Sequence, residues 1–361
     1  MLQTGINITT SRLRAISGDV KKCVKAVNLI YVSDGEPGIQ RLKKGKGFLY
    51  IYRGKKLSDK EELERIRKIV IPPAWKNVWI CSINNGHIQA TGYDARDRKQ
   101  YRYHPLWNEL RNHTKFSRLL EFGEKLPQLR EQLEKDLSLR TLCEKKVLAT
   151  VISLMERTYI RIGNSGYEKL YGSYGLTTLK DQHVKIHGSS MQFSFKGKKG
   201  VFQEISLNNK KLARIVKQCR DIPGKELFQY YDEHGNRHSI DSGSVNSYLQ
   251  EITGEDFSAK DFRTWAGTLN ALQAFRIVGD AKTETEKKRK LVEALDYVSK
   301  KLGNTRTVCR KYYVHPTIIQ LYENNSLTNY LSELDRIEND DDPSSNLTPA
   351  EKTLMNILRS K

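Results

Sequence analysis

The sequence predicts an α+β protein of two domains: a small β-rich lobe at the N-terminus and a larger, mostly α-helical lobe that carries one β-hairpin. Three observations predict it. The chain has 361 residues, about two domains' worth. Apolar residues come in short strand-like runs before residue 107, whereas beyond residue 140 they mostly recur at helical spacing. Hydrophobic residues make up 38% of the chain and charges of mixed sign 29%, so a core can form and global disorder is excluded.

In the first domain, expected over residues 1–107, Gly47-Phe-Leu-Tyr-Ile-Tyr52 and Val78-Trp-Ile-Cys-Ser-Ile83 read as strands, and Asn85-Gly86 before Ile88 reads as a hairpin turn. Ser58-Asp-Lys-Glu61 is a capping box opening a helix that Pro72-Pro73 ends. From Pro105 to about Arg140, charges alternate with spaced leucines, as in a linker running into helix. The second domain is expected over 108–330. There Val147, Val151, Leu154 and Met155 share one helical face. Met191–Phe195 and Val201–Ile205 pair as strands joined by Lys196-Gly-Lys-Lys-Gly200, which puts lysines at a hairpin tip. Ser258, Lys260 and Asp261 begin a helix whose apolar stripe is Phe262, Trp265, Leu269, Leu272 and Phe275. Leu291, Leu295, Val298 and Leu302 mark the next helix, which Gly303 stops. Residues 331–361 read as an acidic, flexible tail through Asp340-Asp-Asp-Pro343 with a short terminal helix. No internal repeat is present.

Lys and Arg number 62 against 42 Asp and Glu, and a net charge of +20 points to a polyanion partner. No apolar run approaches the roughly 18 residues of a membrane span, and the N-terminus lacks a signal-peptide core. A cytoplasmic protein with no membrane association is expected. Cys23, Cys81, Cys143, Cys219 and Cys309 are odd in number and far apart, which fits reduced thiols and no structural metal. His234-Gly-Asn-Arg-His238 could join two imidazoles to a metal only on a helix, and its Gly and Asn favour a turn.

The segment Thr91–His104 gathers Arg96, Arg98, Lys99 and Arg102 around alternating aromatics. That pattern suits phosphate contacts and stacking at a nucleic-acid backbone, and it equally suits a solvated loop leading into a half-buried strand. Four further residues have ordinary readings when taken singly. Arg161 could be a helix-end cation, Lys198 an exposed turn lysine, Arg263 a residue of a helix's first turn, and Tyr313 a core aromatic beside Tyr312.

Taken together, separated motifs in a fixed order change that reading. They are Val70-Ile-Pro-Pro-Ala-Trp-Lys-Asn-Val-Trp79, Gly86-His-Ile-Gln-Ala-Thr-Gly92, Arg98-Lys-Gln-Tyr-Arg-Tyr-His104, Arg161-Ile-Gly-Asn164, Gly175-Leu-Thr-Thr-Leu179, Phe195-Lys-Gly-Lys198, Lys260-Asp-Phe-Arg-Thr-Trp265 and Leu302-Gly-Asn-Thr305 with Tyr313. Over roughly residues 20–320 the chain resembles the type IB DNA topoisomerases of the small poxvirus and bacterial kind. The resemblance implies catalytic roles for Arg161, Lys198, Arg263 and Asn304, with Tyr313 as nucleophile and Lys260 in support. It implies DNA contacts from Arg98, Gln100, Tyr101 and Tyr103. Asn304 stands where the poxvirus enzymes have histidine; it can donate to a phosphate oxygen but carries no charge at neutral pH.

What the resemblance implies is chemically coherent. Phosphodiester attack builds charge on nonbridging oxygens, which permanently charged guanidiniums stabilise. A phenol with a pKa of about 10 needs cations nearby to act as a nucleophile at neutral pH. The expelled 5′ oxygen needs a proton, which a hairpin lysine can give. The implied protein is a monomer that closes on duplex DNA as a C-shaped clamp, with no metal, ATP or other cofactor, associated with the nucleoid if its host is bacterial. Two other readings remain at this point. One is a tyrosine recombinase, although that class typically has histidine where this chain has Lys260; the other is a noncatalytic DNA-binding module.

Overall fold

The computed structural model describes residues 12–13, 16, 19–45, 47–95, 97–337 and 347–360, and it divides into two units, 1–118 and 119–361. Arg96 and the acidic run Asp340–Pro343 lie outside the described residues.

In the first unit, α1 (Val20–Ala26) is capped by Asp19, whose carboxylate accepts from the Lys21 and Lys22 N–H groups at 2.9 and 3.1 Å. A six-stranded antiparallel sheet follows. Its strands are β1 (Ile39–Lys44), β2 (Gly47–Tyr52), β3 (Lys55–Lys56), β4 (Lys76–Ile80), β5 (Ile88–Tyr93) and β6 (Lys99–Tyr103), in the order β3-β2-β1-β4-β5-β6. Ile39, Val78, Ile80 and Ala90 bury one side of it against Ile66 of α2 (Lys60–Lys68). Trp107 and Leu110 of α3 (Pro105–Ser117) pack with Val24 and Leu29 as a second small core.

Two local readings change here. The cap of α2 is Asp59 rather than Ser58, with Oδ1 accepting from Glu61 and Glu62 N–H at 2.9 and 3.3 Å. A carboxylate satisfies the same donors and also suits the positive end of the helix dipole. The strand expected over 78–83 ends at Ile80, and Asn85-Gly86 does not form a two-residue turn. Instead the Ile30 N–H donates to Asn85 O at 2.9 Å and Gly86 bridges to Ile30, so a distant segment displaces the local turn geometry.

The second unit is mostly helical. Helix α4 (Leu119–Leu137) buries Leu119, Phe122, Leu126, Leu129, Leu133 and Leu137, a stripe at three- and four-residue spacing. Next come α5 (Glu144–Thr158) and α6 (Ser165–Tyr171), then the sheet β7 (Val184–His187), β8 (Ser190–Lys196) and β9 (Phe202–Asn208). After α7 (Lys210–Arg220), the short hairpin β10 (Gln229–Tyr231) and β11 (Arg237–Ser239) leads to α8 (Ser242–Thr253). The remaining helices are α9 (Ala259–Val278), α10 (Glu284–Leu302), α11 (Arg306–Tyr312), α12 (Pro316–Glu323), α13 (Leu327–Ile337) and α14 (Pro349–Arg359). Helix α9 is buried on nearly every side, as befits the centre of a helical domain. Its start is the one the sequence suggests, with the Asp261 carboxylate accepting from Ser258 N–H and Oγ at 2.9 Å each. No described helix is long and apolar enough to cross a membrane.

The short helix expected at the C-terminus is α14, and it packs into the core, with Leu354 and Ile357 fully buried. A buried ionic group holds it there. Arg130 of α4 donates through Nε to Glu156 at 2.8 Å and through Nη1 and Nη2 to both Glu351 oxygens at 2.9 and 2.7 Å; Trp265 Nε1 adds a bond to Glu351 at 3.1 Å. Burial alone would lower the Arg130 pKa, but its bonds to the two carboxylates outweigh burial and raise it. Burial alone would likewise raise Glu351, and the bond from Arg130 instead holds it below the usual carboxylate range.

Glu351→Gln is expected to cost about 1.5–3 kcal/mol in urea unfolding at pH 7, because it weakens the charge-assisted bonds from Arg130 and Trp265 while Glu156 still pairs with Arg130. The folded pKa of Glu351 lies below its unfolded value of 4.5, so this contribution is complete above that pH and fades as pH falls through the folded value. Urea midpoints of parent and variant should therefore converge in acid.

Candidate active site

Four of the sequence-predicted residues converge in the second unit, and the ends of helices bring them there. Helix α5 closes on Tyr159 in the left-handed conformation, φ 57° and ψ 16°. This turns the chain sharply, so that the Tyr159 carbonyl accepts from Arg263 Nη1 and the next residues carry Arg161. The Arg161–Asn164 segment is laced to the Gly175–Leu179 segment. Leu176 N–H donates to Arg161 O at 2.8 Å and Thr177 N–H to Ile162 O at 2.7 Å. Asn164 caps α6, its Oδ1 accepting from Gly166 and Tyr167 N–H at 2.9 and 3.3 Å. Two separate motifs thus build one support for Arg161.

Arg263 lies in the first turns of α9, is only 5% exposed, and also donates through Nη2 to Leu302 O at 2.7 Å. The half-buried Arg161 donates through Nη2 to Asn304 Oδ1 at 2.6 Å and to Gly303 O at 3.3 Å. That contact fixes the amide of Asn304, with its oxygen engaged and Nδ2 left as a donor. Asn304 Nδ2 and Arg263 Nε are both buried with no hydrogen-bond partner among the described residues.

The electrostatics are unusual for a protein interior. Among the described residues neither Arg161 nor Arg263 has a carboxylate partner; neutral carbonyls and one amide oxygen hold them. Burial pulls Arg161 down to about 10, and the positive charge of Arg263 adds to the effect. Burial lowers Arg263 too, against the attraction of Tyr313. Both stay cationic at neutral pH. The fully buried Cys309 thiol is pushed up to about 11 by burial despite the two guanidiniums, so it stays neutral and supplies no countercharge.

Tyr313 follows α11, with its N–H donating to Cys309 O at 2.9 Å and its ring 5.3 Å from the Arg263 guanidinium carbon. Its backbone is docked on α9 by two residues that the sequence reading passed over. Thr268 Oγ1 accepts from His315 N–H at 3.1 Å, and it shares its proton between Thr264 O at 2.9 Å and Tyr313 O at 3.1 Å. A Cβ on Gly267 would come within 2.5 Å of Tyr313 O and 2.7 Å of Tyr313 Cβ. The one available signal was a glycine inside a helix, which often marks a close approach. Neighbouring Tyr312 is exposed.

The two lysines stand apart from this cluster. Lys198 is exposed at the β8–β9 tip, in a short turn where Lys199 has φ 62°. Lys260 is exposed in the first turn of α9. Neither side chain has a hydrogen-bond or ion-pair partner among the described residues. Among those residues, too, no group of three or more His, Cys, Asp or Glu side chains could hold a metal. His238, part of the histidine pair considered above, pairs with Asp232 at 2.8 Å.

In the first unit the four expected DNA contacts lie on or beside the edge strand β6. Tyr101 and Tyr103 share a face and stack at 5.7 Å with rings 6° from parallel; Arg111 lies 5.7 Å from the Tyr103 ring. Arg98 and Gln100 are both bound to Asp94, at 2.7 and 3.1 Å. Lys99 pairs with Asp34 at 2.6 Å.

Gly267→Ala is expected to destabilise the chain by about 1–3 kcal/mol through overpacking against the Tyr313 backbone, a loss that a urea titration reads directly.

Comparisons with known proteins identify the family. The family described as eukaryotic DNA topoisomerase I, catalytic core, matches residues 104–339, and that described as bacterial DNA topoisomerase IB, N-terminal domain, matches residues 47–94. The chain is 33% identical over 299 residues to a DNA topoisomerase 1B of Acanthamoeba polyphaga mimivirus, covering 80% of this chain and 88% of that protein. It is 20% identical over 244 residues to a DNA topoisomerase I of monkeypox virus and to a DNA topoisomerase 1B of vaccinia virus, covering 67% of this chain and 74% of each. With its catalytic-core match spanning more than half of its length, the chain belongs to the type IB DNA topoisomerases and is an enzyme of that isomerase class.

Proposed function

We propose that this topoisomerase relaxes supercoiled duplex DNA by cutting one strand through a 3′-phosphotyrosyl intermediate on Tyr313, letting the strand swivel and resealing it, without ATP or metal. The observation that carries the reading is the pair Arg161 and Arg263, desolvated cations without carboxylates beside a tyrosine. Removing a cation from water is costly unless an anion compensates it, and in the same unit Arg130 has two carboxylates. A phosphodiester supplies the missing negative charge at Arg161 and Arg263.

In the step we propose, the Tyr313 oxygen attacks phosphorus, the bond to the 5′ oxygen breaks, and the phenol's proton leaves to solvent. Negative charge grows on the nonbridging oxygens, where the guanidiniums and the unpartnered Asn304 Nδ2 donate. Lys198, at the exposed hairpin tip, reaches the leaving oxygen once DNA is bound and gives it a proton. Lys260, on the first turn of the Arg263 helix, has a supporting part. The reverse step, attack of the 5′ hydroxyl on the phosphotyrosine, conserves the ester's energy and so needs no ATP. The stacked Tyr101 and Tyr103, with Arg98 and Gln100, contact the DNA backbone from the first unit. Every group used comes from one chain, so we propose that the monomer is the active form.

Relaxation of both positive and negative supercoils in EDTA without ATP is the expected result; a requirement for either metal or nucleotide would overturn the mechanism. Tyr313→Phe should bind DNA and fold like the parent yet form no covalent adduct, while Tyr312→Phe should still form it. If the Tyr313 variant trapped DNA covalently, the nucleophile would lie elsewhere.

The general-acid role has its own test. Lys198→Ala should slow cleavage at an ordinary 5′ oxygen by about 10²-fold or more. A substrate with a 5′ bridging sulfur, whose thiolate leaves without protonation, should be cleaved by the variant at nearly the parent rate. Equal loss on both substrates would assign Lys198 to phosphate binding instead.

A further inference from the structure

The Lys198 hairpin has two anchors to the rest of the site. Near its tip, Tyr174 N–H donates to Lys196 O at 2.8 Å, which ties the last residue of β8 to the segment that supports Arg161. The second anchor is a side chain, Gln203 of β9, half-buried and facing Phe195 in the strand register. A Cβ on Gly197 would lie 3.0 Å from Gln203 Cγ, and one on Gly303 would lie 2.8 Å from its Oε1 and 3.1 Å from its Nε2. The side chain therefore spans from the glycine just before Lys198 to the glycine just before Asn304, and both are clear of any Cβ where it passes. Gly303 is doubly constrained, since it also closes α10 in the left-handed region at φ 57°. Among the described residues the Gln203 amide donates only to the neighbouring Phe202 O, at 3.2 Å, so its place is set by the two glycines rather than by a strong hydrogen bond.

We infer that Gln203 is a positioning residue that braces the Lys198 hairpin against the Gly303-Asn304 turn, fixing where the exposed lysine stands relative to the phosphate site. The inference rests on the reading of Lys198 as general acid. A brace of this kind answers a problem the site poses: the arginines and Tyr313 are held by helices, whereas Lys198 has no partner of its own. Bracing against the turn that carries Asn304 makes one element the reference for both the donor to the phosphate and the proton donor to the leaving group.

The test compares Gln203→Ala and Gln203→Met with the parent and with Lys198→Ala, on ordinary DNA and on DNA with a 5′ bridging sulfur at the cleavage site. In the sulfur substrate the Tyr313 oxygen–phosphorus bond forms and the phosphorus–sulfur bond breaks, with the thiolate leaving unprotonated. Gln203→Ala should cleave ordinary DNA about 10- to 100-fold more slowly, the scale of a misplaced group, at unchanged thermal midpoint and DNA affinity. The sulfur substrate should restore it to near the parent rate, and the double variant with Lys198→Ala should be no slower than Lys198→Ala alone. Gln203→Met, of equal length, should keep most of the rate. Equal loss on both substrates, multiplying losses in the double variant, or a lowered thermal midpoint would make Gln203 an independent or structural residue and overturn the inference. Failure of the sulfur substrate to rescue Lys198→Ala would strike the general-acid reading itself, a result separate from rescue of Lys198→Ala without rescue of Gln203→Ala.

Discussion

The second unit is organised around positive charge that has been desolvated without carboxylates. Arg263 is 5% exposed and is held by two backbone carbonyls, and Arg161 leans on Asn304 and Gly303. Such an arrangement costs stability in the free protein, and the lowered pKa values of both guanidiniums express that cost. The surrounding fold supplies what can offset it: a carbonyl presented by Tyr159 in the left-handed conformation, the carbonyls at the end of α10, and a central helix buried on nearly every side. Arg130 shows the alternative. Met by Glu156 and Glu351, it joins α4, α5 and α14, and its charge is answered within the protein. Two uses of buried arginine coexist in one unit, and the placement of carboxylates separates them.

A second consequence concerns rigidity. Charge stabilisation works best when the donors need not reorganise as charge develops, and here the donors sit on helix ends fixed by backbone hydrogen bonds. Tyr313 is fixed by its backbone as well, through Thr268 and the bare face of Gly267, and its ring lies against the Arg263 guanidinium. Lys198 is the exception, exposed at a turn. On the proposed mechanism the proton donor has to meet a strand that enters and later swivels, and an exposed hairpin tip whose base is braced by Gln203 suits that approach.

Much of the fold was legible in the sequence, and the candidate site was legible through the family resemblance of its motifs. The arginines, the tyrosine and the hairpin lysine are picked out through the family resemblance of their motifs, and the hairpin, α9, α10 and the Gly303 stop follow from periodicity and caps. What could not be read depends on partners far along the chain. Arg130 and Glu351 are 221 residues apart, and nothing local to either announces the pair. The left-handed Tyr159 has no residue signature, since tyrosine seldom adopts it. Asn85-Gly86 carried a strong local signal that Ile30 overrode. Ser58 and Asp59 were adjacent candidates for one cap, and the choice between them turned on a helix dipole favouring the carboxylate.

The expected DNA-contact strand and the Arg161–Arg263 pair handle charge differently, and on the proposed mechanism that contrast gives a chain with a net charge of +20 a route to selectivity. On the expected DNA-contact strand of the first unit, cations come already paired: Lys99 with Asp34, and Arg98 with Asp94. Pairs of this exposure contribute little to stability, and a phosphate that displaces the carboxylate exchanges one screened contact for another. Contacts of that kind add affinity in small, salt-sensitive increments and tolerate many backbone positions. At Arg161 and Arg263 no carboxylate has to be displaced, the cations are already desolvated, and Asn304 Nδ2 is already without a partner. An anion placed there meets cations that are screened less than surface ones. On the proposed mechanism, weak, exchangeable pairing on the expected DNA-contact strand and unanswered charge at Arg161 and Arg263 would together direct binding energy toward a phosphate beside Tyr313.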